Sequence, residues 1–193
     1  MSAFGGILNL GNDPQPVSKE LLGTLGNRLD AFGGDAASEI VVANLGMTYR
    51  AFHTTRESRV ETQPLLTPED HLLVWNGRLD NREELQRQLR HDLRNSAGTI
   101  TDPEIVLAAY VKWGAACFVR LIGDFCLALW DEVKEFFISF ATWSARALCT
   151  FMLIQITFIG PLTWRRWSRC LISGSRLTRN TLPVNSPAFP NPD

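Results

Sequence analysis

Apolar positions along the chain fall into short blocks whose period changes, and turn residues separate the blocks. Residues 3–10 are small and apolar, closed by Gly11-Asn12-Asp13-Pro14, and predict a strand. Behind Ser18, an N-cap residue type, Val17, Leu21, Leu22, Leu25, Leu29 and Phe32 recur at helical spacing, and Gly33-Gly34-Asp35 ends that helix. Residues 39–43 and 45–52 predict two strands around Asn44, and the polar stretch 54–70, with Gln63-Pro64 inside, predicts a loop. Residues 71–76 form the next strand block. Asn76-Gly77 after it reads as a turn, because both residues tolerate positive φ.

Asn81, with Glu84 three positions on, predicts a capping box on a helix running to about residue 93. Asp102-Pro103-Glu104 is a second helix start: a capping Asp, a Pro at the first helical position and an acid in the first turn. Ile105, Val106, Ala109, Tyr110 and Trp113 give that helix its apolar face, and Gly114 stops it. A short helix follows at 115–121, then a strand at 123–131 and a hairpin partner at 135–139. The order of strand, helix, strands, helices and strands predicts an α+β fold with antiparallel sheets layered against helices.

The net charge of −1 names no partner, and no nucleic-acid partner is expected. It hides an asymmetry. Residues 1–139 carry 19 of the 20 acidic residues and 13 of the 19 Lys and Arg, while residues 140–193 carry six Arg and one Asp. The cysteines Cys117, Cys126, Cys149 and Cys170 show no CxxC spacing, and the opening residues lack a basic region and a long apolar run. The expected setting is cytoplasmic, with free thiols and no disulfide framework. His53, His71 and His91 are scattered, so no metal site is expected.

Phe4-Gly5-Gly6-Ile7, Tyr49-Arg50, Gln63-Pro64, Asn76-Gly77-Arg78-Leu79-Asp80-Asn81, Thr101-Asp102-Pro103-Glu104, Trp113-Gly114, Leu121-Ile122-Gly123-Asp124-Phe125 and Ala128-Leu129-Trp130-Asp131 occur in that order. On these blocks, residues 1–139 resemble the glutaminase domain of asparagine synthetases, a class II glutamine amidotransferase of the kind also found in lasso-peptide cyclase-like relatives. The resemblance implies an N-terminal-nucleophile hydrolase sandwich, α-β-β-α with antiparallel sheets, which would hydrolyse glutamine to supply ammonia for ATP-dependent amide formation. It implies a nucleophile at position 2, freed by removal of Met1 and assisted by its own α-amine. It also implies an oxyanion hole from the Asn76 side chain and the Gly77 N–H, Arg50 on the glutamine carboxylate, and Asp102 on the glutamine ammonium group.

Three departures shape the expectation. Ser2 stands where the family has cysteine, and a hydroxyl is far less ionised than a thiol near neutral pH. Ala31-Phe32-Gly33-Gly34-Asp35 keeps only one Gly and the Asp of the family's His-Arg-Gly-Pro-Asp. The synthetase domain, to which ATP and Mg would belong, has no counterpart, since Ile172-Ser173-Gly174-Ser175-Arg176 lacks its Gly-Gly pair and Asp. The expectation is therefore a degenerate, inactive glutaminase domain with no cofactor of its own, or a non-catalytic remnant of one.

After residue 139 the family pattern stops. Back-translated and read one nucleotide earlier, residues 141–151 permit Arg-Asp-Leu-Val-Gly-Ala-Arg-Pro-Leu-Tyr-Phe, which restores the family's next motif. Residues 140–193 are thus expected to be a frameshifted, aberrant or disordered tail, leaving the sandwich truncated and incomplete at its C-terminal end. A competing expectation for residues 147–163 is a short membrane segment with a tethered binding module, since the run is apolar and followed by Arg165, Arg166 and Arg169.

Overall fold

The protein is described by a computed structural model covering residues 2–11, 13, 15–32, 34–68, 70–93, 98–134, 136–141, 153–159 and 170–172. Strand β1 (Ala3–Gly11) leads to helix α1 (Lys19–Leu29), then to β2 (Ala36–Val42) and β3 (Leu45–Ala51). The loop that follows contains one 3-10 turn (Glu57–Arg59) and a two-residue strand, β4 (Leu65–Leu66). Next come β5 (His71–Leu79), α2 (Arg82–Gln88), α3 (Asp102–Trp113) and a 3-10 segment (Gly114–Arg120). Strands β6 (Gly123–Asp131), β7 (Phe136–Ala141), β8 (Leu153–Ile159) and β9 (Cys170–Ile172) complete the described order.

Two sheets form, in the orders β2-β3-β1-β8 and β4-β5-β6-β7-β9. Three apolar clusters set the layers. Ile7, Val17 and Leu22 pack α1 on the outer face of the first sheet. Phe4, Leu8, Leu45, Met47 and Tyr49 meet Leu72, Val74, Ala128, Trp130 and Phe137 between the sheets. Trp75, Leu79 and Phe125 join Leu85, Leu89, Ile105, Val106 and Tyr110 where α2 and α3 cover the second sheet. The layering is therefore α-β-β-α, as the sequence predicts, and every sheet pair among β1 to β7 is antiparallel.

Strand parity fixes what each face receives. Ala3 lies opposite Arg50 and Phe4 opposite Tyr49, and directly opposed residues share a face. The face with Phe4 and Tyr49 looks inward to the second sheet, and the face with Ala3 and Arg50 looks out to α1. Helix α1 comes in close because it meets glycine. A Cβ on Gly46 would lie 2.8 Å from Val17 Cγ1, and one on Gly26 would lie 2.4 Å from Arg50 Nη2.

Several elements differ from their sequence reading. Asn76-Gly77 is not a turn, because β5 runs straight through it and pairs with β6 to Leu79↔Gly123. Gly77 takes φ +150, and a Cβ there would sit 2.3 Å from the Asp124 carbonyl oxygen, so only glycine fits. Asn81 precedes α2 without capping it. Its side chain instead bridges to the loop before β6, donating to the Arg120 carbonyl at 2.8 Å and accepting from the Ile122 N–H at 3.0 Å. On α1, Ser18 accepts from the Leu21 N–H as predicted, but Leu21 itself is 47% exposed while Leu22 is buried.

The stretch expected to be aberrant or disordered contributes β8, parallel to β1, and β9, parallel to β7. Residues 153–159 are thus strand and not a membrane helix, and among the described residues no helix is long and apolar enough to cross a membrane. The expected disorder of residues 182–193 lies outside the described residues.

These layers predict a sharp contrast within one helix. Leu22→Ala empties a buried site and should lower unfolding free energy by about 2–5 kcal/mol in urea titration. Leu21→Ala on the same turn should change it by less than about 0.5 kcal/mol.

Candidate active site

The open end of the inter-sheet layer is a cleft of about 300 Å3, lined by Ser2, Tyr49, Asn76, Gly77 and Asp102 together with Glu61, Arg78, Arg82 and residues of the 54–58 loop. Ser2 enters it because it precedes β1 on the same parity as Phe4. Its hydroxyl oxygen accepts from the Phe52 N–H at 3.0 Å and lies 3.4 Å from the Phe52 carbonyl, so β3 anchors it. From the other sheet, Asn76 Nδ2 donates to the Ser2 carbonyl at 2.8 Å. A side-chain amide carries two N–H donors, so one remains for a second acceptor.

Asp102 reaches the cleft because it is released from capping. Glu104 accepts from the Thr101 N–H at 2.7 Å and from the Thr101 hydroxyl at 2.8 Å, so Thr101 and Glu104 close the N-terminus of α3. The Asp102 carboxylate then turns to β5, where it accepts from the Leu79 N–H at 3.3 Å and from Arg82 Nη1 at 2.9 Å. The Arg82 and Asp102 side chains are 24% and 15% exposed, which makes this a largely buried pair. Arg82 also donates to the Ile100 carbonyl. Burial raises the Asp102 pKa, against the lowering pull of Arg82 and the Leu79 N–H.

Four of the five sequence-assigned positions therefore meet in one cleft. Arg50, expected on the glutamine carboxylate, does not line the cleft with them. Parity puts its side chain on the α1 face, where Nε donates to Asp30 at 2.5 Å, Nη1 to Thr48 Oγ1 at 2.9 Å and Nη2 to Glu39 at 3.4 Å. Two carboxylates in that layer neutralise it. The β3 residue facing Ser2 is Tyr49. Burial pushes its phenol up to about 12, with its Ser2 partner pulling the other way, so it stays neutral in the cleft.

Three further residues shape the site. Gln63, buried, accepts from the Trp75 N–H at 2.7 Å and donates to the Tyr49 hydroxyl at 3.3 Å and to Glu61 Oε2 at 3.0 Å. It thereby ties β5, β3 and the loop into one wall. Burial raises the Glu61 pKa, partly offset by the Gln63 bond. Arg82 is the third, and its sequence context is that of an ordinary first-turn helix residue. Only the alternation of β3 carried a signal in the sequence, since Tyr49 and Arg50 cannot both face the cleft.

Cys117 and Cys126 are buried outside the cleft, and burial pushes the Cys117 thiol up to about 12, far from a reactive thiolate. Among the described residues no group of three His, Cys, Asp or Glu is placed to hold a metal ion.

Residues 1–140 match the family model described as a glutamine amidotransferase domain. Over 72 residues the chain is 40% identical to glutamine-hydrolysing asparagine synthetases of Mycobacterium bovis and Mycobacterium tuberculosis, covering 37% of this chain and 11% of theirs. It is 32% identical over 68 residues to asparagine synthetase 3 of Bacillus subtilis, covering 34% of this chain and 10% of that one. The matched region spans about a tenth of these relatives' length. Among solved structures, the glutamine phosphoribosylpyrophosphate amidotransferase of B. subtilis superposes with a TM-score of 0.51 at 17% identity, covering 68% of this chain and 35% of that chain. That likeness is one of fold, the N-terminal-nucleophile hydrolase sandwich.

The raised Glu61 pKa has a signed consequence. The folded state holds the Glu61 proton more tightly than the unfolded chain does, so this group's contribution to stability falls as pH rises through its raised pKa. Glu61→Gln removes the effect. The variant's unfolding free energy minus that of the native chain should therefore grow between the ordinary carboxylate value of 4.5 and neutral pH, as measured by denaturant titration at several pH values.

Proposed function

This chain belongs to the glutamine amidotransferase domain family, and on that premise we propose that its cleft is a glutaminase-type site with Ser2 at the nucleophile position and glutamine turnover far below that of a cysteine-bearing site. The observation that carries the reading is the 2.8 Å bond from Asn76 Nδ2 to the Ser2 carbonyl, which sets an amide donor beside the candidate nucleophile.

The chemistry follows from the groups present. With Met1 removed, the free α-amine of Ser2 takes the hydroxyl proton as Oγ attacks the side-chain amide carbon of glutamine. The carbonyl oxygen gains negative charge and is met by the remaining Asn76 N–H and the Gly77 N–H. Each such donor is commonly worth about 2.7–4 kcal/mol in the transition state. Collapse expels ammonia, protonated by the α-ammonium, and leaves an ester on Ser2. Water then cleaves the ester to glutamate and restores the hydroxyl.

The weak step is the first, because Oγ must lose its proton to a base whose basicity suits a thiol better than a hydroxyl. The names of the relatives extend the reading. Ammonia from such a site would serve amide formation in a synthetase partner domain, which would hold the ATP and Mg, while residues 1–139 need no cofactor of their own. A cytoplasmic setting goes with that partner chemistry.

The test is glutamate release from glutamine by the purified chain, with the N-terminal residue established by mass spectrometry. Ser2→Cys should exceed the native chain by roughly a hundredfold or more, and Ser2→Ala should show no release. In the Ser2→Cys background, Asn76→Ala should lower kcat by about 10²–10³. A native chain as fast as Ser2→Cys would sink the proposal of reduced turnover. The restored motif after residue 140 supports the further reading that residues 140–193 come from a shifted frame. Sequencing the gene decides that point, since nucleotides that do not spell the motif one base earlier overturn it.

A further inference from the structure

We propose that the Tyr49 hydroxyl is a catalytic group of this cleft, donating a hydrogen bond to the Ser2 Oγ and holding that oxygen while it carries charge; the inference rests on the glutaminase-type reading above. Strand register brings the two together. Phe4 lies opposite Tyr49, and Ser2 shares the parity of Phe4, so both side chains leave the first sheet on its inner face and line the cleft. The phenol is buried and has the Ser2 side chain as a hydrogen-bond partner.

The direction of that bond follows from Gln63. The Trp75 N–H can only donate, so the Gln63 atom 2.7 Å from it is the carbonyl oxygen Oε1, and the amide cannot be turned over. Gln63 Nε2 then faces the Tyr49 oxygen at 3.3 Å and Glu61 Oε2 at 3.0 Å, which commits both of its N–H groups. The Tyr49 oxygen accepts there, so its own proton is left for Ser2. Burial holds that proton on the phenol at neutral pH. From β3, the Phe52 N–H also donates to the Ser2 Oγ, at 3.0 Å. Two donors thus meet one oxygen, and the electron pair freed by loss of its own proton remains for attack.

The step balances without a further reactant. The Oγ proton passes to the α-amine as the bond from Oγ to the amide carbon forms. The amine hands that proton to the departing nitrogen, which leaves as ammonia. Water then attacks the ester and gives a proton to the amine, and Oγ takes it back as its bond to carbon breaks. Tyr49 keeps its proton throughout, and its hydrogen bond is strongest when Oγ is charged, on attack and on departure. An oxygen accepts such a bond well and a sulfur weakly. The phenol is therefore matched to serine at position 2 and not to cysteine.

Glutamate release is measured for the native chain, Tyr49→Phe, Ser2→Cys and the double variant, with kcat and KM resolved. Tyr49→Phe should lower kcat by about ten- to a hundredfold beside Ser2 and by less than about threefold in the Ser2→Cys background, with KM little changed in either. Loss of the Gln63 contact is common to both backgrounds, so a merely structural role gives equal losses. Equal losses, or a larger loss beside cysteine, overturn the inference. Should Tyr49→Phe fail to unfold cooperatively, 3-fluorotyrosine placed at position 49 keeps the hydroxyl and makes it a stronger donor. It should raise kcat about twofold beside Ser2 and leave it level beside cysteine, and a fall or an equal change in the two overturns the inference. Release by Ser2→Cys but not by the native chain overturns this inference alone, whereas release by neither overturns the glutaminase-type reading with it.

Discussion

One hydrogen bond spans the two sheets at the mouth of the cleft, and the site depends on it. Asn76 belongs to the second sheet and Ser2 to the edge of the first, and only the 2.8 Å contact between them brings donor and hydroxyl to the same point. Everything that holds the contact is structural. Ser2 is fixed by the Phe52 N–H, and β1 by its ladder to β3. Asn76 is fixed by the β5–β6 ladder and by the Gln63 bond to the Trp75 N–H beside it. The inter-sheet core of Phe4, Leu8, Met47, Leu72, Val74 and Phe137 sets the spacing between the two ladders. Ser2 is thus positioned by packing throughout its surroundings.

Charge is handled by the same layering. Two largely buried arginines are each neutralised in a different layer: Arg50 beneath the first sheet by Asp30 and Glu39, and Arg82 within the cleft by Asp102. A largely buried guanidinium without such partners would be strongly destabilising, so each pairing is close to obligatory once the residue is there. The first pairing removes a cation from the cleft. The second leaves one in it while consuming the carboxylate.

Most of the architecture was legible in the sequence. Helical spacing located α1 and α3, short apolar runs bounded by turn residues located the strands, and the 123–131 and 135–139 blocks gave the β6–β7 hairpin. The misses have physical causes. Asn-Gly is a turn dipeptide by propensity, but the close approach of β5 and β6 calls for a glycine inside a strand, and that demand is tertiary. Neither Asn81 nor Asp102 caps its helix, because the Arg120 carbonyl across the fold draws the Asn81 side chain and the neighbours Thr101 and Glu104 do the capping beside Asp102. β3 is buried along its whole length, so no polar face marked which of Tyr49 and Arg50 looked inward. Only register against β1 settles it. Arg82 could not be found from sequence at all, since its significance lies in a partner twenty residues away.

The glycines at 77 and 123 lie two register positions apart on the paired strands β5 and β6, opposite Phe125 and Leu79. Each takes φ +150, and each would drive a Cβ into the other strand's backbone, 2.3 Å from the Asp124 carbonyl oxygen and 2.0 Å from the Arg78 carbonyl oxygen. The two strands are therefore drawn together right behind the donor groups of the cleft, with no side chain between them to yield. The amide plane at Gly77 inherits its orientation from a residue that no ligand touches. Tolerance to change at the mute position 123 should be as narrow as at the chemical positions themselves, which separates what the site must contain from what it must merely leave empty.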